Sequence, residues 1–118
     1  MEKGKRVVIT GLGAISPVGN NIDEFWNSLT AGKSGIQRIT QFDPTQYDSQ
    51  IAGEVKGFDP SACISPKDKR RMDKFVQYAV VAAHQAVDDA QVDFVNEDPF
   101  QVGVLIGSGI GSLYTLQE

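Results

Sequence analysis

Short β-branched runs alternate along this chain with longer apolar stripes of helical period. Val7-Val8-Ile9-Thr10 reads as a strand buried on both faces, and it enters the tight turn Gly11-Leu12-Gly13. Ile22, Phe25, Trp26 and Leu29 then fall at i, i+3, i+4 and i+7, one apolar stripe of an amphipathic helix. Asn21 is placed to cap that helix, with Glu24 completing a capping box, and Gly32 suits the left-handed position that stops it.

Residues 33–63 are less regular. Phe42-Asp43-Pro44 and Phe58-Asp59-Pro60 are turn signals, and Ile51-Ala52-Gly53-Glu54-Val55 between them reads as a short strand. The flanks of the two triplets do not match, so they are no internal repeat. The strongest helical signal starts at Ser65-Pro66-Lys67-Asp68, where Ser65 is a natural N-cap, Pro66 fits the first position and Asp68 favours the positive helix end. Met72, Phe75, Val76, Ala79, Val80, Ala83, Ala86, Val87 and Ala90 continue the period, which predicts one long helix. Its alanines predict close packing on more than one side, as an internal layer. Beyond an acidic loop, Val102-Gly103-Val104-Leu105-Ile106 predicts a second buried strand, running into Gly107-Ser108-Gly109-Ile110-Gly111-Ser112.

Buried strands alternating with helices imply an α/β fold built on a parallel sheet. Such a sheet needs both faces covered and more strands than this sequence offers, so residues 1–118 are expected to be an N-terminal part of a larger domain. The 41% apolar and 22% charged composition is that of an ordinary globular chain rather than a disordered one. No apolar run approaches the ~18 residues of a membrane span, and the N-terminus lacks a signal-peptide core, so a cytoplasmic, non-membrane protein is expected.

Charge sharpens the picture through its distribution. The formal net charge is −4, and all 11 Lys and Arg lie at or before Lys74. From residue 75 onward the only charges are Asp88, Asp89, Asp93, Glu97, Asp98 and Glu118. Overall acidity argues against nucleic acid as a partner while leaving room for a local basic patch. A single cysteine excludes an internal disulfide and a thiolate metal cluster, and neither a metal nor a cofactor is expected.

The strand-glycine opening invites a dinucleotide reading, G-x-G-x-x-G. Gly11 and Gly13 fit, but Ser16 holds the third glycine position, and the helix begins only near Ile22. No acid stands at the required distance on a second strand. The glycines are better read as allowing a sharp, closely packed turn.

The same residues resemble another family. RVVITGLGAISPVGN at 6–20, the Trp26 helix, AGKSGI at 31–36, GEVKGFDP at 53–60, KDKRRMDKFVQYAVVAAHQAVDDA at 67–90 and VGVLIGSGIGS at 102–112 resemble, in order, the start of the beta-ketoacyl-ACP synthases. The likeness covers essentially the whole chain, and Ile110 makes the last motif more similar to the type II synthase than to type I. It implies the thiolase-like fold, two similar α/β halves in an α-β-α-β-α arrangement, usually as a homodimer. It also implies an acyltransferase of fatty acid synthesis that condenses an acyl-enzyme thioester with malonyl-ACP and releases CO2. The family's cysteine, two histidines and lysine are expected beyond residue 118, so this stretch by itself would be inactive.

What the resemblance assigns within the chain is recognition. Lys67, Arg70 and Arg71 match the family's basic positions for docking acyl carrier protein (ACP), and Lys69 is an addition to them. Basic charge at a helix start runs against the macrodipole, which fits a partner's demand rather than the helix's own. Ile110 matches the isoleucine that lines the acyl channel. Ser61-Ala62-Cys63-Ile64-Ser65 imitates the nucleophile motif but stands too early in the chain. The only histidine, His84, is on the order of 30 Å further along the helix. Two alternatives stay open: a stand-alone ACP-binding module, and a segment of a polyketide-type ketosynthase.

Overall fold

The computed structural model describes Gly4 and residues 6–112; Lys3, Lys5 and the stretch ending at Glu118 lie outside the described residues. The first helix, α1 (Ile22–Thr30), forms where its stripe places it. Asn21 is extended, and its side chain accepts from the Glu24 N–H at 2.9 Å. The Glu24 carboxylate reaches back one residue past the cap and accepts from the Asn20 N–H at 2.8 Å, a shifted form of the capping box. Gly32 takes φ 65° just past the end, as a helix stop requires.

Strand β1 (Ile36–Arg38) pairs antiparallel with β2 (Ile51–Gly53), with Ile36 opposite Gly53 and Arg38 opposite Ile51. β2 was expected; its partner, hidden in the irregular stretch after α1, was not. The acidic loop contains two 3-10 turns, Phe94–Asn96 and Pro99–Gln101, each capped by an aspartate side chain, Asp93 and Asp98.

The long helix is not continuous. A short helix α2 (Pro66–Lys69) ends at Arg70, and α3 (Lys74–Ala90) starts afresh after Asp73. Asp73 adopts extended backbone, φ −63° and ψ 157°, at the N-cap of α3. The apolar period runs across this break unbroken, so periodicity alone could not show it.

The packing of α3 also departs from its apolar stripe. Its best-buried line is the i+4 ridge of Gln77 and Val81, continued by half-buried Gln85, whereas Phe75, Ala83 and Val87 of the apolar stripe are exposed. Along this ridge Gln85 accepts from the Ala14 N–H at 3.0 Å and donates to the Asn20 carbonyl at 2.7 Å. Asp89, one turn on, accepts from the Leu12 N–H at 2.9 Å. The expectation of close packing holds on the alanine side. A methyl group on Gly11 would lie 2.6 Å from Ala90 N and 2.7 Å from Ala90 Cβ, and one on Gly13 would lie 2.9 Å from the Ala82 carbonyl carbon. The glycines let the turn lie against the helix backbone itself.

Neither expected parallel strand is paired. Residues 7–10 and 102–106 form no ladder, and the two-stranded β1–β2 sheet is the one among the described residues. Val104 is 84% exposed and Leu105 99%. Strand identity requires neighbours, and these runs have none in the described segment. The radius of gyration, 18.0 Å, exceeds the ~13.5 Å of a compact chain of this length. Among the described residues only Ile64 and Val81 are buried hydrophobics. The apolar surfaces of this segment are therefore shaped for neighbours it does not itself supply.

Candidate functional site

The basic cluster sits on the elbow between α2 and α3, which local hydrogen bonds define. Ser65 Oγ accepts from the Asp68 N–H at 3.2 Å and donates to the Asp68 carboxylate at 2.6 Å, fixing the start of α2. The N–H groups of Arg71 and Met72 both donate to the Asp68 carbonyl, at 2.8 and 3.0 Å, and end it. The side-chain amide of Gln77, from the second turn of α3, donates to the Met72 carbonyl at 2.8 Å and the Lys69 carbonyl at 3.2 Å. Gln77 is 8% exposed, whereas Lys67, Lys69, Arg70, Arg71 and Lys74 are all exposed. A single buried side chain thus ties the second helix to both ends of the bend that carries the arginines.

Beside the elbow runs a groove of about 510 Å³ lined by Val55, Phe58, Lys69, Arg70, Lys74 and Tyr78, among others. Phe58 and Tyr78 meet edge to face, their centroids 4.8 Å apart. Burial raises the Tyr78 hydroxyl pKa above its ordinary value, so it stays neutral beside the cations. Asp59 is held below the ordinary carboxylate range by the Ser61 N–H and hydroxyl, with a smaller contribution from Lys69. Lys69 accordingly faces the protein's own Phe58-Asp59-Pro60 turn.

A second cleft, about 620 Å³, opens on the other side of the first turn of α3, between Glu54, Val55, Met72, Phe75, Tyr78 and Gly111. Glu54 is buried at its wall and accepts from the Thr40 hydroxyl at 2.6 Å, the Thr40 N–H at 2.9 Å and the Gln41 N–H at 3.2 Å. These bonds, the Thr40 hydroxyl foremost, hold its pKa below the ordinary value. Gly111 takes φ 79°, and its N–H donates to Ser108 Oγ at 3.0 Å. A methyl group there would stand 3.8 Å from Phe75 Cζ. The glycine loop and the basic elbow, far apart in sequence, therefore meet at the start of α3, and Lys74 borders both clefts.

The sequence candidates fall into place unevenly. Lys67, Arg70 and Arg71 share the elbow. Ile110 is beside the second cleft but 75% exposed, and it does not line it. Cys63 is half-buried in the turn before α2, where its N–H donates to the Pro60 carbonyl at 3.0 Å; His84 is exposed on α3. No group of His, Cys, Asp and Glu among the described residues could hold a metal ion, and no helix among them is long and apolar enough to cross a membrane. Sequence reading missed Lys74 and Gln77. Lys74 was hidden by the assumption of one helix, and Gln77 interrupts an apolar run at a position the apolar stripe assigns outward.

The dinucleotide reading meets a direct objection. The N-terminus of α1, where a phosphate would rest, is occupied by the Asn21 cap and the Glu24 carboxylate. A fixed carboxylate there repels an anion.

A basic elbow, with Asp68 and Asp73 spent at helix starts, meets a glycine loop on a segment whose two further strand runs are unpaired. Residues 4–118 match the family described as beta-ketoacyl synthase, N-terminal domain, and the chain belongs to that family. It is 47% identical over 117 residues to 3-oxoacyl-(acyl-carrier-protein) synthase 2 of Staphylococcus aureus, covering 99% of this chain and 28% of that protein. With the synthase 2 of Vibrio cholerae it shares 46% identity over 113 residues, 96% of this chain and 27% of that protein. The chain thus spans a little over a quarter of the length of these relatives. Among solved structures, an ishigamide ketosynthase/chain length factor superposes with TM-score 0.64 at 42% identity, covering 74% of this chain and 22% of that one. A type II PKS acyl-carrier protein in complex with its ketosynthase gives TM-score 0.61 at 28% identity, covering 80% of this chain and 25% of that one.

Proposed function

We propose that this chain is the N-terminal part of a beta-ketoacyl-ACP synthase II, within a thiolase-like fold and a homodimer. The complete enzyme would transfer an acyl group from ACP to a cysteine thiolate, then decarboxylate malonyl-ACP so that its carbanion attacks the thioester. The new carbon–carbon bond yields 3-oxoacyl-ACP, and the thiolate is released. The 47% identity to a synthase 2 across nearly all of the chain carries this reading. Within the segment, the α2–α3 elbow presents Lys67, Arg70 and Arg71, with Lys74 beside them, to the acidic carrier. Ile110 would line the acyl channel that neighbouring parts of the fold complete, as the matching isoleucine of type II synthases does.

The test is direct. Full-length protein incubated with hexanoyl-ACP and malonyl-ACP should release CO2 and form the 3-oxo product two carbons longer. Carrier binding without condensation would favour a stand-alone binding module. A polyketide-type ketosynthase is the second reading, favoured by the ketosynthase/chain length factor superposition. It predicts repeated extension without reduction, seen as products bearing several 3-oxo groups.

A further inference from the structure

We propose that Gln77 is a positioning residue for the docking surface, holding the α2–α3 elbow in the shape that presents Arg70 and Arg71 together. This rests on the reading of the elbow as the carrier-binding surface. Gln77 is buried, and its amide donates to the Lys69 and Met72 carbonyls, which bracket the two arginines in sequence. Both carbonyls lie at the break between the helices, where the last residues of α2 lack intrahelical donors. The Arg71 and Met72 N–H groups both go to the Asp68 carbonyl, so these two donors do not serve the carbonyls of the bend. The side chain of Gln77 donates to both, so one amide ties α3 to the two ends of the bend.

Two further features fit this role. Gln77 occupies the buried ridge of α3, one turn before Val81, and is 8% exposed. Its polarity is therefore explained by the two carbonyls rather than by packing. It also lines the groove whose walls carry Lys69, Arg70 and Lys74, so loosening it releases the cationic wall. Gln77 touches the elbow from behind and acts on the carrier only through the arginines.

The experiment uses full-length protein and measures carrier-protein affinity, together with kcat/KM for acyl-ACP and for a small acyl thioester that lacks the carrier. Gln77→Met keeps the length and removes both donors. It should weaken carrier binding roughly three- to tenfold, the worth of a net hydrogen bond or two. Activity on the small thioester should stay unchanged, because that substrate does not use the elbow. Gln77→Asn, too short to reach both carbonyls, should behave like Gln77→Met. In an Arg70→Ala/Arg71→Ala background the Gln77→Met effect should vanish, since the two act as one unit. Equal loss on both substrates, or an undiminished effect in the arginine-free background, would overturn the positioning role. If removing the arginines alone leaves carrier affinity unchanged, the docking reading fails. If it lowers affinity while Gln77→Met does not, only the inference about Gln77 fails.

Discussion

Gly11→Ala tests the packing of the opening turn on α3. The new methyl would stand 2.6 Å from Ala90 N and 2.7 Å from Ala90 Cβ, with the Ala86 carbonyl oxygen closer still. All of these belong to a helix that cannot yield by a rotamer change. Bringing Ala90 N to ordinary van der Waals distance alone needs a retreat of about 0.8 Å, and clearing the Ala86 carbonyl oxygen needs more. That movement carries the Leu12 N–H, now 2.9 Å from Asp89 Oδ2, beyond good hydrogen-bond range. Overpacking costs about 1–3 kcal/mol, and the exposed hydrogen bond adds about 1 kcal/mol. A total of about 2–4 kcal/mol is a large share of the ~5–15 kcal/mol that holds a protein folded. Urea unfolding of the full-length protein, followed by circular dichroism, reads the change directly. Gly32→Ala is the control: its φ is 65°, yet open space surrounds it, so it should lose only the ~1–2 kcal/mol of left-handed strain. A Gly11→Ala protein within about 0.5 kcal/mol of wild type would refute the close approach.

Other expectations follow from single contacts. Asn21→Ala removes the cap on α1 and should destabilise by about 1 kcal/mol, while Asn21→Ser should restore most of it, both read from the urea midpoint. Because the folded pKa of Glu54 lies below its ordinary 4.5, its contribution to stability is present above that value and fades as pH falls through the lower folded value. Glu54→Gln should therefore flatten the acid limb of the stability–pH curve; an unchanged limb would show that Glu54 is not tied to Thr40 and Gln41. Ile110→Phe in the complete enzyme should cut kcat/KM for long acyl chains more than for short ones, and uniform loss would indicate a folding defect instead.

Local signals were legible in the sequence, and long-range ones were not. The α1 cap, the Gly32 stop and the Ser65 start are set by neighbours within a turn, so the residues announce them. The Arg70–Asp73 break was not announced, because the apolar period passes across it and the amide that shapes it comes from Gln77, a turn into the next helix. The buried face of α3 was misjudged for a related reason. Within this segment the ridge from Gln77 to Asp89 satisfies backbone groups of the adjoining elbow and of the remote opening turn, and polar residues do that work better than apolar ones. The apolar stripe of α3, like the runs at 7–10 and 102–106, is suited to surfaces contributed from elsewhere. Of the candidate site, the basic positions could be named from sequence, but their meeting with the glycine loop at Phe75 required the fold.

The most direct test of the elbow as a docking surface is carrier-protein affinity after charge reversal of Lys67, Arg70 and Arg71 together. At low salt the Lys67→Glu/Arg70→Glu/Arg71→Glu protein should bind ACP about tenfold more weakly or worse. The gap from wild type should narrow as added salt shortens the screening length from about 10 Å at 0.1 M toward about 3 Å at 1 M. An affinity equal to wild type at low salt would contradict the account.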